Sequence, residues 1–111
     1  MASPMVPNDD LANLIALLGE ENVRSLIRTF LHEYPGMLKQ LADGDRATRH
    51  RLVHSLKSNA RVIGERELSA HLAALEERIG TPGARDLDAA ELADIARRFE
   101  AVAVPLRAFA P

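Results

Sequence analysis

Leu11, Leu14, Ile15 and Leu18 recur at the spacing of one face of an α-helix. Asn8, Asp9 and Asp10 supply N-caps ahead of this face, and Gly19 stops it. A longer stripe through Val23, Leu26, Ile27, Phe30, Leu31 and Tyr34 predicts a second helix. Pro35 lacks an N–H and disfavours helical geometry in the residue before it, so a kink or a restart is expected there. Leu38 and Leu41 carry the face on to a turn at Asp43-Gly44-Asp45, and Asp45 can cap a third helix ending near Gly64. A fourth helix is predicted from about Arg66 to Ile79, with Leu68, Leu72, Leu75 and Ile79 on one stripe. After the loop Gly80-Thr81-Pro82-Gly83, Asp88 and Glu91 have capping-box spacing. The last helix then presents Leu92, Ile95, Phe99, Val102 and Leu106. No stretch alternates convincingly at the strand period. Amphipathic helices on short connections pack as antiparallel neighbours. The expected fold is therefore all-α: an up-down-up-down antiparallel four-helix bundle with a short extra N-terminal helix. Residues 1–111 are expected to form one domain, with 1–7 as a flexible tail and no internal repeat or interdomain linker.

Composition supports helices over a β-sandwich. The chain has 111 residues, enough for one modest core. Its only aromatic residues are Phe30, Tyr34, Phe99 and Phe109, so leucine and alanine must fill the interior. The absence of cysteine removes disulfides and thiolate metal sites. The opening MASPMVPNDD has neither the basic nor the apolar region of a signal peptide, and no apolar run approaches the roughly 18 residues of a bilayer span. A formal net charge of −2 gives no global case for nucleic-acid binding. A cytoplasmic monomer without membrane or nucleic-acid partners is expected.

The stretch HSLKSNARVIG, residues 54–64, carries the candidate chemistry. At about 100° per residue, Leu52, Val53, Leu56, Ala60 and Ile63 fall in one quadrant centred near roughly 50°. His54 falls at roughly 200° on the same wheel, nearly opposite, so it is predicted to be exposed. Ser58 lies beside it one turn on, and Arg51, Lys57 and Arg61 flank the same outer surface. An exposed imidazole is largely neutral at cellular pH and hence nucleophilic. A lysine one turn away can neutralise an incoming phosphoryl group, and a small Ser58 leaves room for in-line approach. Between Arg46 and Arg66 six side chains are basic and only Glu65 is acidic. Against an acidic net charge, that asymmetry suits a dianionic adduct or an acidic partner, although a solvated helix face fits the run as well.

At these residues the chain resembles the histidine-containing phosphotransfer (HPt) domain. Its signature is matched in type and spacing by His54, Leu56, Lys57, Ser58, Asn59, Ala60, Ile63 and Gly64. Downstream, Leu68, Leu72, Leu75 and Glu76 resemble the family's continuation, and upstream FLHEYPGMLKQL resembles its preceding helix. The likeness runs from about Leu26 to the end of the fourth helix. It implies that His54 accepts a phosphoryl group through Nε2, with Lys57 as its electrostatic partner. It further implies docking of receiver domains, from a hybrid histidine kinase and a response regulator, over Ser58, Arg51, Arg61 and Gly64. Gly64 is equally explained as a helix C-cap, and Asn59 and Arg61 are less typical of the signature. The protein would have no cofactor or metal of its own, the Mg²⁺ belonging to the partner receiver domain. Nothing in the sequence resembles a Gly-rich phosphate loop, so no ATP site is expected. Glu76 follows from a simpler argument. If the third and fourth helices turn near Gly64, His54 and Glu76 stand at similar heights, about 15 and 18 Å from the turn. Glu76 could then accept a hydrogen bond from Nδ1–H and aim Nε2 outward, or it could pair with a lysine or arginine.

Two other classes compete. His50 and His54 have the i, i+4 spacing of a shared zinc site, but His-Arg-Leu-Val-His lacks the glutamate of a zinc protease and no third ligand is evident. The basic face of the third helix could instead serve a helical interaction or nucleic-acid-binding module. A serine-hydrolase reading of Ser55 or Ser58 with His54 lacks a nucleophile elbow and is set aside.

Overall fold

The computed structural model of the protein describes residues 6–111; most of the expected N-terminal tail, residues 1–5, lies outside them. Val6, inside that expected tail, is half-buried and packs against the core. Among the described residues the ordered elements are five helices and no strand: α1 (Asp9–Leu18), α2 (Glu20–Asp43), α3 (Arg46–Val62), α4 (Arg66–Gly80) and α5 (Ala89–Phe109).

The helix starts follow the expected capping chemistry. Asn8 Oδ1 accepts from the Leu11 N–H at 2.8 Å, and Asp45 Oδ1 accepts from the Thr48 N–H at 2.9 Å. Asp88 and Glu91 form a reciprocal capping box: the Glu91 N–H donates to Asp88 at 2.8 Å and the Asp88 N–H donates to Glu91 at 3.1 Å. Pro35, expected to kink or restart its helix, lies within a continuous α2. It sits on the exposed side, where water can serve the carbonyl that its missing N–H leaves free. Pro105 is accommodated in α5 in the same way.

Side-chain pairs fix which helices are neighbours. Tyr34 of α2 stacks on Phe30 and on Phe99 of α5, with ring centroids 5.3 and 5.6 Å apart. Its hydroxyl donates to Glu100 at 3.0 Å. Arg49 of α3 donates to the Leu41 carbonyl of α2 at 3.0 Å. Arg78 of α4 makes two 2.7 Å hydrogen bonds to Glu91 of α5. The core between these helices includes Ile27, Val53, Leu56, Leu72, Ile95, Phe99 and Leu106, and among the described residues no charged side chain is buried. Leu11 is the one residue of α1 that is fully buried. Leu18, read as part of the buried face of α1, is instead 50% exposed, because it lies at the very end of that helix.

The α3–α4 turn positions the residues discussed below. Gly64 takes φ +80 just past α3. The Glu65 N–H donates to the Ala60 carbonyl at 2.9 Å and the Gly64 N–H to Arg61 at 3.1 Å, the bond pattern of a Schellman C-cap. Asn8 spans two helix ends: while Oδ1 caps α1, Nδ2 donates to the Ile63 carbonyl of α3 at 2.9 Å. Arg66 then grips Asp10 with two 2.7 Å hydrogen bonds. The extra N-terminal helix is thus fastened to the turn that leads from α3 into α4.

Candidate functional site

His54 leaves α3 opposite Leu52, Val53, Leu56 and Ala60, all of them buried. Its side chain is 59% exposed, as the helical wheel predicted. The neighbouring α4 brings up Glu76, whose carboxylate divides between two partners. Oε2 lies 2.7 Å from His54 Nδ1, and Oε1 lies 2.6 Å from Lys57 Nζ. The two roles left open for Glu76 are both present, one on each oxygen.

The electrostatics select one ring tautomer. The hydrogen bond from Lys57 is the main reason that the Glu76 carboxyl titrates below its ordinary range; partial burial opposes this, and the bond to His54 adds to it. An ionised carboxylate only accepts hydrogen bonds, so in the neutral imidazole the proton sits on Nδ1. The Nε2 lone pair is then on the solvent side of an exposed ring. That is an oriented nucleophile, held by a carboxylate on a neighbouring helix.

The surroundings keep this arrangement in place and leave it open. Ser69 Oγ donates to the Lys57 carbonyl at 3.2 Å, tying α4 to the backbone of the lysine. Ser58 Oγ turns back to donate to the His54 carbonyl at 3.1 Å, so the side chain one turn on is small and folded onto its own helix. Lys57 is half-buried and already paired, and so is not a free cation waiting for an anion. Arg51 and Arg61 are exposed on the same helix. Gly64 has an occupation inside the fold: a Cβ there would overlap the Asn8 side chain and lie 2.7 Å from Asp10 Cβ. These contacts and the Schellman bonds account for Gly64 as a helix C-cap.

The basic run of α3 is largely consumed internally. Arg46 donates to the carbonyls of Ile79, Thr81 and Ala84. Arg49 donates to those of Leu41, Ala42 and Leu87 and pairs with Asp86. With Lys57 on Glu76 and Arg66 on Asp10, most of the face proposed for nucleic acid is holding the loops and helix ends together. Among the described residues no group of three or more His, Cys, Asp or Glu could hold a metal ion. His50, the other member of the candidate metal pair, has its ring against Gly80, where a Cβ would come within 2.8 Å of Nε2.

Sequence reasoning missed Ser69, Ala70 and Ala73, which with Asp10, Lys57, Arg61 and Arg66 line a groove of about 640 Å³ between α3 and α4. The available signal was small residues at helical spacing on the polar side of α4. That signal does not say which helix faces them.

The family model of the Hpt domain matches residues 25–104, which include His54, Lys57, Glu76 and the groove residues of α3 and α4. No curated protein and no solved structure matches the chain significantly.

Proposed function

Because the chain belongs to the Hpt-domain family, whose members carry phosphoryl groups on histidine in two-component phosphorelays, we propose that His54 is the carrier residue of this protein. It receives the phosphoryl group from the phospho-aspartate of one receiver domain and yields it to the aspartate of another. Hybrid histidine kinases and response regulators are the sources of such domains. The residue pairs between α2, α3, α4 and α5 support reading the scaffold as the up-down-up-down bundle of that family. No helix of the described residues is long and apolar enough to cross a membrane, and we place the relay in the cytoplasm.

The carrying observation is the shared Glu76 carboxylate. As the Nε2 lone pair forms the N–P bond, the P–O bond to the donor aspartate breaks and its electron pair leaves with that carboxylate. Positive charge develops on the ring, and Glu76, 2.7 Å from Nδ1, stabilises it where it forms. This interaction strengthens along the reaction, which is the condition for lowering a barrier. Lys57 has a double part in this reading. It keeps Glu76 ionised, and it reduces the net negative charge that the dianionic phosphoryl group meets. The Mg²⁺ that phosphoryl transfer employs would sit on the receiver domain, supplying charge neutralisation there. This chain contributes the nucleophile, its tautomer and its orientation.

Incubation with phosphorylated receiver domains tests the assignment. The protein should acquire an acid-labile, base-stable label, and His54→Gln should acquire none. Label that persists in His54→Gln, at His50 or His71, would overturn it.

A further inference from the structure

Of the six cations between Arg46 and Arg66, four are engaged: Arg46 and Arg49 by backbone carbonyls, Lys57 by Glu76 and Arg66 by Asp10. Arg51 and Arg61 are exposed, and neither has a carboxylate partner among the described residues. Their surroundings differ. Arg61 stands seven residues after His54, two turns along nearly the same side of α3, which is roughly 10 Å at 1.5 Å per residue. There it lines the α3/α4 groove, whose other cations are the paired Lys57 and Arg66. Arg51 is not among the residues that line it.

The groove has two properties of a seat for a polypeptide. Beyond Arg66, which is paired with Asp10 at the start of α4, its α4 wall is Ser69, Ala70 and Ala73, so nothing longer than a hydroxymethyl group rises from that stretch. Its charges do not cancel: Lys57, Arg61 and Arg66 face Asp10, and Glu76 absorbs Lys57, which leaves Arg61 as the surplus cation. The groove is also lined by Lys57, which shares its carboxylate partner with His54. A surface docked over the ring therefore continues into it.

We propose that the α3/α4 groove seats an acidic segment of the receiver domain that docks on His54, and that the pairing of Arg61 with a carboxylate of that segment selects among receivers. The inference rests on the phosphotransfer reading above. It fixes the partner's geometry: a carboxylate on a loop or helix end about 10 Å from the phosphoryl aspartate, lying where Ser69, Ala70 and Ala73 leave room. An exposed arginine that gains a partner only in the complex affects encounter and selectivity more than it affects the chemical step.

The test measures transfer from a panel of phosphorylated receiver domains, at several concentrations and two salt concentrations, to the wild type, Arg61→Glu and Ala73→Gln. For receivers that serve the wild type best, Arg61→Glu should raise KM about tenfold while kcat changes less than about twofold. The wild-type KM should rise with salt and that of Arg61→Glu should not, because screening acts on the pairing. Ala73→Gln, at an exposed and helix-compatible position, should raise KM for the same receivers without removing the charge. Wild-type kcat/KM in both variants with every receiver would overturn the groove while leaving the phosphotransfer reading intact. A loss confined to kcat would also overturn it. Capture of double-stranded DNA by the wild type, lost in Arg61→Glu, would assign the groove to nucleic acid instead. A wild type that accepts no phosphoryl group from any receiver overturns the phosphotransfer reading itself, a result distinct from these.

Discussion

One carboxylate oriented by a lysine decides where the proton of a histidine resides, and that gives Glu76 a sharper test than simple removal. In Glu76→Gln the Lys57 ammonium, a donor only, would claim the amide oxygen. The amide NH₂ would then face His54 Nδ1, which could answer only as an acceptor, so the ring proton would move to Nε2 and the outward nucleophile would be lost. Glu76→Gln should therefore slow transfer about 10-fold or more, equivalent to about 1.4 kcal/mol of barrier, despite its near-identical shape. The ¹⁵N shifts of the imidazole should show the exchange of protonated nitrogens. An unchanged tautomer with an unchanged rate would remove Glu76 from the mechanism. Lys57→Ala should act through the same carboxylate, and its effect should shrink sharply in a Glu76→Ala background, as coupled neighbours do.

At the scale of the element, the turn between α3 and α4 is where three helices are joined by small groups. Gly64 holds φ +80, which an L-residue adopts at a cost, and the Asn8 amide occupies the space that a Cβ would need. Gly64→Ala should therefore destabilise the protein by about 1–3 kcal/mol in urea unfolding. In an Asn8→Ala background the overlap with the amide is gone and only the close approach to Asp10 Cβ and the backbone share remain, so the same change should cost less. Equal costs in both backgrounds would show that the Asn8 amide contributes nothing to the requirement for glycine. His54 sits ten residues before this turn on an exposed face, so the imidazole should remain accessible in the Gly64 variant under folding conditions.

The whole molecule is held by an apolar core and, on its outside, by carboxylates that arginines keep ionised. Glu91 is the extreme case: the hydrogen bonds from Arg78 hold its pKa at about 2, against burial, with its capping bond to Asp88 and its bond to Arg85 adding to the effect. A carboxyl depressed in the folded state contributes stability that is present above its unfolded pKa of about 4.5 and is lost as pH falls towards about 2. The protein should accordingly lose stability between these values. Glu91→Gln should cost about 1–2 kcal/mol at neutral pH, after allowance for solvent screening, and should flatten the acid dependence. Parallel acid-unfolding curves for the two proteins would show that the Arg78–Glu91 link between α4 and α5 is not a source of stability. Glu65 pulls the other way, because burial raises its pKa, so the slope of the acid limb reports the balance of both groups.

Hydrophobic periodicity and capping residues, both local, were sufficient for the existence of all five helices, for the exposure of His54 and for the burial of Leu52, Leu56 and Ala60. The capping box at Asp88 and Glu91 was legible for the same reason, since its two partners lie three residues apart. Pro35 misled because its penalty depends on what surrounds the orphaned carbonyl, and an exposed position lets water answer it. The pairing of His54 with Glu76 could be placed at the right height from helix rise alone, but the wheel does not say which oxygen meets which cation. The spending of Arg46, Arg49 and Arg66 on loop carbonyls and on Asp10 was out of reach, because those partners lie between seven and fifty-six residues away in sequence. A run of like charges reads as a binding face until the folded chain shows what each charge already holds. Sequence alone therefore determined which residues could do chemistry, through local periodicity and type. Only the tertiary structure decided which of their charges remain unsatisfied, because that depends on contacts made across helices.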